Sequence, residues 1–63
     1  GLEVAGRIVD QAPGWLRPGG WLVLETHPGQ AARLLLLMAP RYGEAAVLPD
    51  LTGAPRIAEG RTR

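Results

Sequence analysis

A chain of 63 residues makes one domain at most, residues 1–63, and a domain of that size buries only about 60% of the surface its unfolded chain exposes. A formal net charge of +1 gives no whole-chain field that would draw in nucleic acid or an anionic membrane surface. Without cysteine there is neither a disulfide framework nor a thiolate metal centre, and the single histidine, His27, builds no metal site alone.

In chain order, the first element is a helix. Leu2, Ala5, Val9 and Ala12, with Ile8 beside them, recur at spacings of three and four, which is one face of an amphipathic helix over residues 2–13. Glu3 suits its positive end, and Pro13 with Gly14 stops it. Pro18-Gly19-Gly20 then forms a tight turn, Pro18 presetting its φ and the two glycines free to take the positive φ that a reversal needs. Residues 21–26 are a nearly continuous apolar run, too short for a helix between Gly20 and Pro28. It reads as a strand buried on both faces, the habit of parallel sheets. Trp15 and Trp21, at the helix exit and the strand start, read as packing residues rather than stacking platforms.

His27-Pro28-Gly29 is expected to turn the chain into a second helix over residues 30–39, closed by Pro40. Its run Leu34-Leu35-Leu36-Leu37-Met38-Ala39 covers the sheet, being far shorter than the roughly 20 residues a membrane span needs. The N-terminus lacks the basic and apolar segments of a secretory signal, and the expected location is the cytoplasm. After a turn at Arg41-Tyr42-Gly43, a strand over residues 44–48 and another over 56–61 flank the loop Asp50-Leu51-Thr52-Gly53-Ala54-Pro55, the pattern of a hairpin. Arg56, Arg61 and Arg63 gather charge near the end, read as a solvated terminus. The order helix, strand, helix, strand, strand is that of an α/β unit.

The combination of Leu16-Arg17-Pro18-Gly19-Gly20-Trp21-Leu22-Val23-Leu24-Glu25 with the terminal Asp50-Leu51-Thr52-Gly53, Arg56-Ile57 and Gly60-Arg61 resembles the C-terminal portion of the peptide chain release factor N5-glutamine methyltransferases, the HemK family. Gly1-Leu2-Glu3, Arg7-Ile8, Gln11-Ala12-Pro13 and Gln30-Ala31 extend the likeness along the whole chain. The first stretch occurs across many class I methyltransferases, and the terminal hairpin narrows the family. Thr26-His27-Pro28 and Gly53-Ala54-Pro55 depart from the family's usual residues.

That resemblance implies an α/β fold: a three-stranded mixed sheet with two helices, a C-terminal piece of the Rossmann-like class I fold, with the strand over 56–61 in the middle. It implies S-adenosylmethionine as cofactor and a release factor as partner for the full-length family. The family's glycine-rich cofactor loop and Asn-Pro-Pro-Tyr motif have no counterpart in these residues, so the chain alone is expected to hold no catalytic, cofactor-binding or metal residue and to be inactive, completing the sheet. Glu25 ends its strand at the carboxyl side, where open α/β sheets bind ligands, and His27 follows; both are candidate substrate-rim residues. The bare edge of the strand over 21–26 is expected to drive homo-oligomer formation. A free-standing α+β homodimeric or partner-binding module, or a piece of a class I methyltransferase with another acceptor, are the alternatives.

Overall fold

Pro13 decides how the first helix ends. The computed structural model describes residues 2–63, and in it α1 runs over Glu3–Gln11 and tightens into a 3₁₀ turn, Ala12–Gly14. Ala12 still donates to the Ile8 carbonyl, but the carbonyl of Val9 would look to residue 13 for its donor, and a proline has none. The Tyr42 hydroxyl supplies it, donating to the Val9 oxygen at 2.9 Å in a buried setting. Burial pushes the Tyr42 phenol above its ordinary pKa, which keeps the donor proton in place.

The turn that follows has Pro18 and Gly19 as its central residues, with the Gly20 N–H donating to Arg17 O at 2.8 Å and Gly19 at φ 81°, the marks of a type II turn. Gly20 does not use a positive φ; its reason is space, since a Cβ there would lie 2.9 Å from the Arg17 carbonyl oxygen. Thr62, buried at the far end of the chain, fastens this turn. Its hydroxyl donates to Arg17 O at 2.6 Å and accepts from Gly20 N at 2.9 Å.

β1 is Trp21–Glu25, α2 is Pro28–Met38, β2 is Glu44–Pro49 and β3 is Pro55–Arg61. The expected turn at His27-Pro28-Gly29 is instead the beginning of α2, with His27 as its N-cap residue and Pro28 in the first turn, where the missing N–H costs nothing. The sheet order is β1-β3-β2, with β3 in the middle as the resemblance implied. Both pairings are antiparallel, so the sheet is antiparallel and not mixed: the central strand runs against both neighbours, and no two strands of like direction touch.

Val9, Leu34, Met38, Tyr42 and Ala58 form the core, with Ala5, Leu22, Leu24 and Ala45 packed against it. Both helices therefore sit on one face of the sheet. Gly60 lets them approach, because a Cβ there would meet Met38 Cε at 2.8 Å and Tyr42 Cβ at 3.0 Å. The opposite face carries Trp21, Val23 and Leu48, which are 45%, 57% and 37% exposed. β1 is thus half-buried on one face and exposed on the other, the face of Trp21 having no helix over it among the described residues, and Trp15 and Trp21 are exposed rather than packed.

Substituting Tyr42→Phe keeps the ring in the core and strands the Val9 carbonyl. Urea denaturation followed by circular dichroism is expected to show a loss of about 1–3 kcal/mol with an unchanged slope.

Candidate functional site

Because β3 opposes both outer strands, β1 and β2 run the same way and finish at the same end of the sheet. Trp21 and Glu44 both pair with Arg61 at one end, whereas Glu25 and Leu48 both pair with Ile57 at the other. The first end is closed by Thr62 and the Pro-Gly-Gly turn. The second is open, and it carries two recesses.

One lies between the first half of α1, the end of β1 and the start of α2, an open groove of about 480 Å³. Val4, Ile8 and Leu24 make its apolar wall, and Glu25, His27 and Arg56 its polar rim. The structure thus brings the two sequence-predicted rim residues to one groove. Each is exposed, and among the described residues no hydrogen bond joins them. Glu25 offers an acceptor and His27 a second polar contact, but neither is presented to a nucleophile. Among the described residues there is also no group of three or more side chains able to hold a metal ion.

The second recess lies beside the β2–β3 hairpin and is lined by Glu25, Pro49, Asp50, Thr52, Arg56 and Ile57, among others. Glu25 and Arg56 belong to both recesses. Arg56 reaches this position through a bulge: Leu48 pairs with Ile57 and Pro49 with Pro55, which leaves Arg56 as the extra residue. Its Nε donates to Asp50 Oδ2 at 2.7 Å, while its carbonyl accepts from Thr26 N at 2.7 Å. The same residue ties the hairpin to the end of β1.

Sequence reasoning placed Asp50 in the hairpin loop and used it to narrow the family, but gave its carboxylate no role. Its Oδ1 accepts from the Thr52 hydroxyl at 2.6 Å, the Thr52 N–H at 2.8 Å and the Ala54 N–H at 3.1 Å, and Gly53 closes the loop at φ 87°. The Asp-x-Thr-Gly order, an Asx turn followed by a left-handed glycine, was the available signal. The Thr52 hydroxyl foremost, then its N–H, the Arg56 guanidinium and the Ala54 N–H, outweigh partial desolvation and hold the carboxyl at about 2.

The chain is similar to release factor glutamine methyltransferases, the class of protein that its motifs resemble. It is 41% identical over 61 residues to that of Deinococcus radiodurans, 33% identical over 64 residues to that of Thermosynechococcus vestitus and 41% identical over 63 residues to that of Xylella fastidiosa. These alignments take in 97%, 98% and 97% of this chain and 22% of each relative. The chain therefore spans about a fifth of the length of the curated relatives it matches, and its resemblance to this family holds along nearly its whole length. No family model matches the chain. No solved structure matches it. No helix among the described residues is long and apolar enough to cross a membrane.

The Asp50 pKa is depressed in the fold, so its contribution to stability is complete above the unfolded carboxyl value of about 3.9 and disappears as pH falls through about 2. Carbon-13 NMR titration is expected to give a midpoint near about 2 for Asp50, and Thr52→Ala, which removes the strongest partner, is expected to raise it. A midpoint at the ordinary aspartate value would show the loop to be unclamped in solution.

Proposed function

We propose that this chain is the C-terminal part of a release factor glutamine methyltransferase, completing the sheet of a Rossmann-like class I fold, with the open end at Glu25 and His27 bordering the substrate. The observation that carries the reading is the 41% identity to the Deinococcus radiodurans enzyme over 97% of the chain. In this reading the whole protein acts in the cytoplasm and transfers a methyl group from S-adenosylmethionine to a glutamine amide nitrogen of a release factor. The groove of this chain has an apolar wall and a polar rim of Glu25, Thr26, His27, Gln30 and Arg56, and none of its lining residues is a glycine, so it offers nothing like the family's glycine-rich cofactor loop. Cofactor binding and chemistry are accordingly assigned to the remainder of the protein, and Glu25 and His27 to contact with the acceptor.

The uncovered face with Trp21, Val23 and Leu48 supports the same reading. An apolar sheet face of this kind is a surface made to be packed against, and the other four-fifths or so of a relative's length supply the material. The outer edge of β1, which among the described residues has no partner strand, is where the sheet of the whole protein continues. In the isolated chain that edge is free to pair with a second copy. Light scattering at millimolar concentration is expected to report a dimer or larger species, and a strict monomer would refute the edge pairing.

A chimera tests the function directly. Replacing the matching segment of the Deinococcus radiodurans enzyme by these residues is expected to preserve methylation of a release factor, read by mass spectrometry. The isolated chain is expected to show neither methylation nor micromolar binding of S-adenosylmethionine by calorimetry. A folded chimera without activity, or tight cofactor binding by the chain alone, would overturn the assignment.

A further inference from the structure

The sheet face that no helix covers is apolar at Trp21, Val23 and Leu48, yet a carboxylate stands at its centre. β3 is the middle strand, and its residues alternate between the faces: Ala58 and Gly60 are buried on the helix side, so Ile57, Glu59 and Arg61 lie on the other. Glu59 pairs with Val23 across one flank and with Ala46 across the other. Its cross-strand neighbours are therefore apolar in both directions.

Glu59 is also without a counter-charge. The ion pairs among the described residues join Arg41 to Asp10, Arg56 to Asp50 and Arg61 to Glu44, and none reaches it. Arg61, two residues along the same face, is engaged at the end of the sheet: its guanidinium lies 5.6 Å from the centre of the Trp21 ring, its Nε donates to Gly19 O at 3.0 Å and its Nη1 lies 3.7 Å from Glu44 Oε1. Trp21, Arg61 and Glu44 thus answer one another in a row across all three strands. The next row, Val23, Glu59 and Ala46, has a charge and nothing to answer it.

Charge decides what covers the face. An apolar element laid over Val23 and Leu48 takes Glu59 out of water, and a carboxylate buried without a partner costs more than the apolar contacts beside it return. The cover must therefore bring a cation to the middle of the sheet. A second copy of this chain is the wrong shape of charge, because stacking it face to face about the middle strand sets Glu59 against Glu59. The chain spans about a fifth of the length of its curated relatives, and the remaining length is ample for a covering element.

We infer that the element of the whole protein that packs on this face is apolar and carries one arginine or lysine opposite Glu59, and that this ion pair fixes the register of the cover on the sheet. The inference rests on the methyltransferase reading above, in which the rest of the protein supplies the cover.

The test uses the full-length protein from the gene that encodes these residues, with Glu59→Gln and Glu59→Leu. Glutamine keeps the shape and an acceptor oxygen and removes only the charge, so Glu59→Gln is expected to lower the thermal unfolding midpoint by about 5 °C or more, as breaking a buried pair does. Glu59→Leu, which also leaves the cation unpaired, is expected to lose at least as much. A midpoint for Glu59→Gln equal to the parent's, or a Glu59→Leu protein more stable than the parent, would overturn the ion pair, while release factor methylation by the parent would keep the methyltransferase reading intact. A crystal structure of the parent gives a readout that does not depend on how the variants fold. An arginine or lysine nitrogen from outside these residues is expected within about 4 Å of the Glu59 carboxylate, and a neutral cover or a second copy on this face would overturn the inference. A folded parent that does not methylate a release factor would overturn the reading on which the inference rests.

Discussion

The hydrogen bond from the Tyr42 hydroxyl to the Val9 carbonyl is the contact on which the remaining structure depends. Pro13 ends α1 by withholding a donor, and the orphaned carbonyl would lie in the core without compensation. Meeting that need from the turn after α2 fixes the end of α1 against the end of α2, so both helices must share a face of the sheet. Tyr42 can occupy this position only because Gly60, in the central strand, presents no side chain to its ring. One missing N–H, one hydroxyl and one missing Cβ thus set the layer order.

The same economy separates the two ends of the sheet. At the end where β1 and β2 begin, Thr62 and the turn through Gly19 exchange hydrogen bonds until buried polar groups have partners, and the end is sealed. At the other end polar groups are tied within the hairpin and across to Thr26, and the side chains of Glu25 and His27 are left facing solvent. A closed end gives rigidity and an open end gives access. The polarity of the sheet, with β3 opposed to both neighbours, decides which strand termini are available.

Much of this was legible in the residues, and the parts that were not share a cause. Helical periodicity placed α1, the Pro-Gly-Gly turn was visible as such, and the hairpin followed from Asp50 to Pro55. The role of Gly20 was not visible, because its close approach to Arg17 depends on a turn geometry that glycine alone does not specify. Thr62 lies 42 residues from Gly20, and nothing local marks it as the fastener. Pro13 marked the stop of the helix, but not that the Val9 carbonyl would need a donor from Tyr42. At the open end, Glu25 and His27 could be placed by strand polarity, whereas the bulge that brings Arg56 between the two recesses depends on a register that no single strand encodes.

The misread burial of β1 is informative in its own right. An apolar residue pattern records the surroundings in which a strand is used, and residues 21–26 carry apolar side chains on both faces although these residues cover only one. Fully burying a side chain such as Trp21, Val23 or Leu48 stabilises by up to about 1.5–3 kcal/mol each, which together is comparable with the entire stability of a small domain. A sheet with that much unused on one face has its fold coupled to whatever packs there. Stability and the alignment of the open end then arise together, since covering elements would brace the strand that ends on Glu25 and the strand that leads into Asp50.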